Sequence, residues 1–337
     1  MPLPSPLPIT ILTGFLGTGK TTLLNRLLRL NHGMRLAVLV NDFGAINIDA
    51  RLIDYLDEDS ISLTNGCVCC SMRGNLVTST LAVLERPQSP EHLIVEASGI
   101  ADPIGVAAAF RTSALRQRTR VDGIITLVDA EQARNPRLDQ QLIHDQIRSA
   151  DVVVLNKVDL VDAPRRAELA GWIRSLAPGA RVIEAVDAKV PFEVVMGIDS
   201  RRDLVRPPID ASDGRHLQFG TWSYSTEHPL AYRSVRAALE RLPSEIFRAK
   251  GILALADAPN LPFTLQMVGR RIAIEPEGTW GERQPATELV CIGLPEAMTA
   301  QNLSDRLDAC ITTSVTLMTR QNLGLLKRRV RWKTLSA

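Results

Sequence analysis

Short apolar runs recur through the first part of the chain, at residues 9–12, 36–40, 61–63, 93–95, 124–128, 152–155 and 182–186. Runs of this length rich in Val, Ile and Leu read as strands buried on both faces. Between them lie stretches with helical spacing, such as Leu23, Leu24, Leu27 and Leu28. Strands alternating with helices predict an α/β fold, a mostly parallel sheet flanked by helices, with ligands bound at the strands' carboxyl ends. The pattern changes at residues 199–215, where charge, proline and small polar residues read as a linker. Beyond it, strand-like 217–224, helix-like 230–242 and strand-like 252–255, 263–268, 271–274 and 289–292 predict a smaller α+β C-terminal domain with a largely antiparallel sheet. The expected organisation is a first domain over residues 1–198, a linker over 199–215, a second domain over 216–326 and a basic tail over 327–337.

The run at 9–12 leads into Gly14-Phe15-Leu16-Gly17-Thr18-Gly19-Lys20-Thr21, which fits G-x-x-x-x-G-K-[ST], and a helical run follows. Strand, loop and helix form the context that this phosphate-binding motif requires. Its glycines let backbone N–H groups curl around phosphate oxygens, and the helix adds its positive end. Gly14, Gly17, Thr18, Gly19, Lys20, Thr21 and Thr22 are the expected nucleotide contacts, with Lys20 and Thr21 placed for terminal phosphates and Mg²⁺.

Asn156-Lys157-Val158-Asp159 ends the run at 152–155. A carboxylate at Asp159 can accept from both the ring N–H and the exocyclic amine of guanine, a donor pair that adenine lacks. Alone, such a tetrapeptide also reads as a strand end capping a helix. Behind a phosphate loop, Asn156, Lys157 and Asp159 read as guanine recognition, which points to GTP and argues against an ATP-dependent kinase or deaminase-like enzyme. Between the two motifs, the run at 93–95 ends in Glu96, with Gly99 just beyond. An acidic residue at such a strand end can hold Mg²⁺ or its water, and Glu96 is the candidate; in isolation a carboxylate that merely terminates a strand would read as well, but the flanking motifs weigh against it. Asn41-Asp42-Phe43-Gly44 follows another run and falls, by order along the chain, where a nucleotide-sensing switch would begin.

Three of the five cysteines crowd into Gly66-Cys67-Val68-Cys69-Cys70, while Cys291 and Cys310 stand alone. Clustered thiols in a chain with an odd cysteine count point to metal or redox chemistry rather than a disulfide framework. Thiolates from Cys67, Cys69 and Cys70 suit Zn²⁺ or another soft or borderline cation. Three sulfurs leave a tetrahedral ion one ligand short, which fits a cargo site better than a closed structural one. Buried packing cysteines and a thiol redox switch stay open as alternatives.

Taken in order, these motifs resemble the CobW family of metal-trafficking GTPases. The resemblance is carried by Gly14 to Thr22, Asn41 to Gly44, Gly66 to Cys70, Glu96-Ala97-Ser98-Gly99-Ile100-Ala101-Asp102-Pro103, and Asn156 to Asp159. Smaller matches are Asn47-Ile48-Asp49, Arg73 and Leu76. In the second half, Phe247-Arg248-Ala249-Lys250-Gly251-Ile252 resembles the R-A-K-G element of the family's C-terminal domain. The resemblance implies slow GTP hydrolysis coupled to delivery of a metal to a client metalloprotein. It implies a catalytic set of Lys20, Thr21, Asp42 and Glu96, with Thr21 and Glu96 on Mg²⁺ and the three clustered cysteines on the transferred metal. Relatives serve zinc enzymes, cobalt in cobalamin synthesis, or nitrile hydratases; zinc is the first expectation here, with Co²⁺ the alternative. Two features depart from many members. Asp42 stands where they carry Glu, and the five histidines (His32, His92, His144, His216, His228) are solitary, so there is no histidine-rich tract.

With 337 residues and 45% hydrophobic content the chain can bury two cores. A net charge of +2 gives no strong field for nucleic acid or membrane, and neither is an expected partner. No apolar segment is long enough to span a bilayer and none at the start reads as a signal peptide, so the expectation is cytoplasmic, with a homodimer compatible. The cluster Lys327-Arg328-Arg329-Val330-Arg331-Trp332-Lys333 reads as a solvated terminus.

Overall fold

The computed structural model describes residues 6–30, 34–41, 60–63, 70–86, 90–196, 220–297 and 300–312. The chain divides into two compact units, Met1–Gly197 and Ile198–Ala337. The segments read as a linker and as a basic tail, residues 199–215 and 327–337, lie outside the described residues.

The first unit is built on seven strands: β1 (Leu7–Thr13), β2 (Leu36–Asn41), β3 (Ser60–Leu63), β4 (His92–Glu96), β5 (Thr119–Asp129), β6 (Val152–Asn156) and β7 (Arg181–Ala185). Their order is β3-β2-β4-β1-β5-β6-β7, and every pairing is parallel. Each apolar run of the sequence falls on one strand, although the run at 182–186 overshoots β7 by Val186, which is exposed. Conversely, β5 begins well before its apolar run. Leu7 and Pro8 of β1 pair with Thr119 and Arg120, so backbone pairing holds a polar stretch in the strand that side-chain pattern alone cannot reveal.

Among the described residues six helices accompany the sheet: α1 (Lys20–Arg29), α2 (Cys70–Leu84), α3 (Pro103–Ala109), α4 (Gln140–Ser149), α5 (Ala163–Leu176) and α6 (Phe192–Met196). Ile9, Ile11, Leu39 and Val95 share one core with Leu76 and Val83 of α2 and Val106 of α3. Along the same sheet face, Val128, Val153 and Leu155 pack with Ile143 and Ile147 of α4 and Leu169 and Ile173 of α5. Each such side chain, fully buried, contributes about 1.5–3 kcal/mol. On the other face, Thr10 donates from Oγ1 to the Val195 carbonyl of α6 at 3.1 Å. The helices start where sequence chemistry says they should. Asp102, Asp139 and Asp162 each accept a hydrogen bond from a first-turn amide of α3, α4 and α5, and Pro103 and Pro164 sit just inside two of those starts. Because all seven strands run parallel, their carboxyl ends line one edge, and the neighbouring strands β1 and β4 lead off in opposite directions across the sheet, β1 toward β2 and β4 toward β5.

The second unit carries an antiparallel sheet of β8 (Gly220–Thr226), β9 (Ile246–Ala254), β10 (Pro262–Val268), β11 (Arg271–Pro276) and β12 (Thr287–Gly293), in the order β11-β10-β9-β12-β8. Among the described residues two helices, α7 (Tyr232–Glu240) and α8 (Ala300–Asp308), contribute Val235, Leu239, Leu303 and Leu307 to a core with Trp222, Ala249, Leu265 and Leu289. The apolar pattern predicts a strand only from 252, but β9 begins at Ile246. Arg248 and Lys250 alternate there with Phe247, Ala249 and Gly251, so the charged residues interrupt the apolar run without interrupting the strand. The sequence pattern does not predict helix α8; the hydroxyl of Tyr224 on β8 donates to its Asp308 at 2.7 Å.

Candidate functional site

Strand β1 delivers the chain into a loop with three glycines in the left-handed region, Gly14 at φ 135°, Gly17 at φ 74° and Gly19 at φ 103°. Two are also held by close approach. A Cβ on Gly14 would lie 2.2 Å from the Leu127 carbonyl oxygen, and one on Gly19 would lie 2.6 Å from Asn156 Nδ2. Gly19 is the N-cap of α1 and brings no side chain to cap it, so the first-turn amides are left to an anion. Lys20 lies folded over this loop and donates from Nζ to the carbonyls of Gly14 at 3.0 Å and Phe15 at 3.1 Å. Thr18 donates to the same Phe15 carbonyl at 2.8 Å, while Thr22 is exposed.

One residue into α1, the Thr21 hydroxyl donates to Glu96 Oε1 at 2.8 Å. Glu96 ends β4, is paired in register with Leu12 of β1, and is 2% exposed. The turn after it also meets the phosphate loop. A Cβ on Gly99 would fall 2.6 Å from Leu16 Cδ2 and 2.8 Å from Leu16 N, so nothing larger than glycine fits there. From the other side Gln146 of α4 donates from Nε2 to the Gly99 carbonyl at 3.0 Å.

The third part arrives from β6. Asn156 is buried and bridges two loops: its Nδ2 donates to the Thr18 carbonyl at 2.9 Å, and its Oδ1 accepts from Ala188 N at 2.8 Å. Ala188 and Asp187 both have φ 52°, in the turn that follows β7. The residue after Asn156, Lys157, is itself left-handed at φ 61° and pairs from Nζ with Asp129 Oδ2 at 2.7 Å. Asp159 lies exposed in the single turn Val158–Leu160. Arg26 of α1 forms an ion pair with Asp187 and donates from Nε to its carbonyl at 2.8 Å.

Sequence reasoning missed Asp129, Gln146, Ala188 and Arg26. Asp129 carried a usable signal, since it ends an apolar run just as Glu96 and Asn156 do. Gln146, Ala188 and Arg26 are linked to the site only by folding, and nothing local in the sequence marks them.

Asp42, Cys67 and Cys69 lie outside the described residues, and Cys70 is the first residue of α2. The strands that flank them end level, with Asn41 paired to Leu63, on the carboxyl edge that also carries the phosphate loop. Among the described residues no group of three or more His, Cys, Asp or Glu could hold a metal ion. The two solitary cysteines are packing groups: Cys291 and Cys310 belong to the core of the second unit, and burial pushes the Cys291 thiol up to about 12. No helix of the described residues is long and apolar enough to cross a membrane.

The chain is similar in sequence to known proteins. Residues 8–184 match the family model for the CobW/HypB/UreG nucleotide-binding domain, and residues 219–311 match that for the cobalamin synthesis protein cobW C-terminal domain. The zinc chaperone CobW of a Sinorhizobium species is 30% identical over 337 residues, covering 86% of this chain and 93% of that protein. The zinc chaperone YjiA of Escherichia coli is 31% identical, covering 87% of this chain and 96% of its own. The zinc-regulated GTPase metalloprotein activator 1 of Dictyostelium discoideum is 29% identical, covering 81% and 68% respectively. With a phosphate loop, an acidic β4 end and an N-K-x-D turn on one sheet edge, and with both family models matched in order, the chain belongs to the CobW family, as a CobW/HypB/UreG nucleotide-binding domain followed by a CobW C-terminal domain.

Proposed function

We propose that this protein is a GTP-hydrolysing metallochaperone that takes up a divalent metal, with zinc as the expected cargo, at Cys67, Cys69 and Cys70 and hands it to a client metalloprotein. The observation that carries the nucleotide half is the double hydrogen bond of Asn156, to Thr18 O at 2.9 Å and from Ala188 N at 2.8 Å. It draws the turn bearing Asp159 against the phosphate loop, so base reading and phosphate binding belong to one site. The names of the relatives, zinc chaperones and a metalloprotein activator, support the cargo and the client.

In this reading the amides from Gly14 to Thr22 hold the phosphate chain, Lys20 turns from the loop carbonyls to the terminal phosphates, and Asp159 accepts the two guanine donors. The Thr21 hydroxyl and the Glu96 carboxylate, 2.8 Å apart, are hard oxygen donors of the class Mg²⁺ takes, so the residues fit that ion and would hold it. When bound, Mg²⁺ supplies positive charge to the β- and γ-phosphate oxygens. Asp42 orients a water whose oxygen bonds to the γ-phosphorus as the bond to the β–γ bridging oxygen breaks, leaving GDP and inorganic phosphate. The three thiolates bind the cargo with one coordination position left for exchange, and the start of α2 at Cys70 favours thiolate over thiol. Residues 199–215 serve as the linker to the second domain.

The test is direct titration of GTP and ATP with parallel measurement of phosphate release. GTP should bind more tightly and turn over slowly; equal affinity for ATP would remove the guanine assignment and with it this reading of the site.

A further inference from the structure

Helix α4 presents Ile143 and Ile147 to the core, and between them Gln146 is 1% exposed. A primary amide at such a position is costly unless its donors are used. Its Nε2 points at the turn after β4, donating to Gly99 O at 3.0 Å, with Ala101 O at 3.5 Å. The helix is anchored at the same residue, because Thr126 Oγ1 of β5 donates to the Gln146 carbonyl at 3.0 Å. The turn is braced on its other side by the phosphate loop, where Leu16 N lies 2.8 Å from the position of a Cβ on Gly99. Three residues earlier, Glu96 is bonded to Thr21.

We propose that Gln146 is a positioning residue that fixes the Gly99 peptide against the phosphate loop and so sets the preference of the site for a nucleoside triphosphate over a diphosphate. The proposal rests on the nucleotide reading given above. Gly99 follows the strand end that faces the terminal phosphate through Glu96 and Thr21, whereas the base is read at the far side of the loop by Asp159. The base and the phosphates common to GDP and GTP are held by Asp159 and the loop; only a terminal phosphoryl group would extend to the turn that Gln146 holds. The amide is therefore poised to bias one nucleotide state and leave the other alone, and reciprocally to carry the presence of that phosphate into α4.

The experiment is Gln146→Met, which keeps the unbranched length and removes both donors. Affinities for GDP and for a non-hydrolysable GTP analogue are measured by titration, with GTP turnover alongside. GDP binding should stay within about twofold of wild type while the analogue weakens about tenfold, the scale of one lost hydrogen bond, and turnover falls with it. Equal loss for both nucleotides, or an unchanged ratio, overturns the proposal. If the variant does not fold, hydrogen exchange on the wild-type protein decides. Residues 98–101 and 143–149 should gain protection together with the GTP analogue but not with GDP, and protection confined to the phosphate loop overturns the proposal. Wild-type protein that binds no GTP would instead overturn the nucleotide reading itself.

Discussion

Thr21 donates its hydroxyl hydrogen bond to Glu96 at 2.8 Å, joining the first turn of α1 to the last residue of β4. In the proposed function this hydroxyl and carboxylate, beside the start of α1, would hold a magnesium ion and act where charge gathers during phosphoryl transfer. Glu96→Gln should therefore lower turnover on the order of a hundredfold while changing GTP affinity far less. Thr21→Ala should remove the Mg²⁺ dependence of nucleotide binding. Phosphate release and titration at varied Mg²⁺ separate the two effects, and hydrolysis at the wild-type rate in Glu96→Gln would contradict the role given to that carboxylate.

The loop glycines differ in what surrounds them, and alanine substitution should expose it. At Gly17, φ 74° with nothing within 4 Å of the Cβ position, alanine meets only backbone strain, about 1–2 kcal/mol. At Gly14 the same methyl group would lie 2.2 Å from a backbone carbonyl that cannot move without disturbing β5. Thermal unfolding should show Gly14→Ala as clearly the more destabilised; equal midpoints would refute the geometry.

Base recognition should divide between Asp159 and Asn156. Asp159→Asn should weaken GTP by about 1–3 kcal/mol and improve xanthosine triphosphate, because it exchanges an acceptor for a donor. Asn156→Ala should weaken GTP and GDP together, since it removes the brace between the phosphate loop and the turn at Ala188 rather than a contact to one nucleotide. Titration of the four combinations checks both, and an Asp159→Asn variant with wild-type affinity for GTP would count against guanine reading.

The five cysteines should separate by reactivity. Burial raises the Cys291 and Cys310 thiols, Cys291 to about 12, so both should resist alkylation in the folded protein while Cys67, Cys69 and Cys70 react once metal is removed. A raised folded pKa adds stability that is complete below the ordinary value of 9.0 and is lost as pH climbs from there toward about 12. Denaturation midpoints of the second unit should accordingly fall across that range and not below it. Rapid labelling of Cys291 in the native protein would show that its core is not closed.

Much of this was legible in the sequence because the relevant residues stand at the ends of apolar runs. Glu96 and Asn156 each end a strand and Lys20 stands where the loop after β1 enters α1, and a parallel sheet forces all strand ends to one edge, so order along the chain translates into proximity. Gln146 and Ala188 escaped for the opposite reason. Gln146 sits mid-helix among apolar residues, and Ala188 contributes a backbone amide, so their roles exist only once α4 and the turn after β7 are packed against loops far away in sequence. The apolar pattern makes β9 too short because Arg248 and Lys250 occupy it, whereas its pairing with β10 and β12 runs straight through both.

If GTP hydrolysis drives the hand-over of metal, as proposed, nucleotide state must govern metal affinity at the cysteine cluster, and zinc affinity measured against a chromophoric chelator with the GTP analogue and with GDP tests it most directly. Linkage requires that a metal which tightens GTP binding be held more tightly in the GTP state by the same factor, in the range of roughly 5 to 150-fold for ordinary couplings. We expect a difference of that size in the wild-type protein and its disappearance in the Cys67→Ser, Cys69→Ser, Cys70→Ser triple variant. Equal zinc affinity in the two nucleotide states, or undiminished zinc binding by the triple variant, would contradict it.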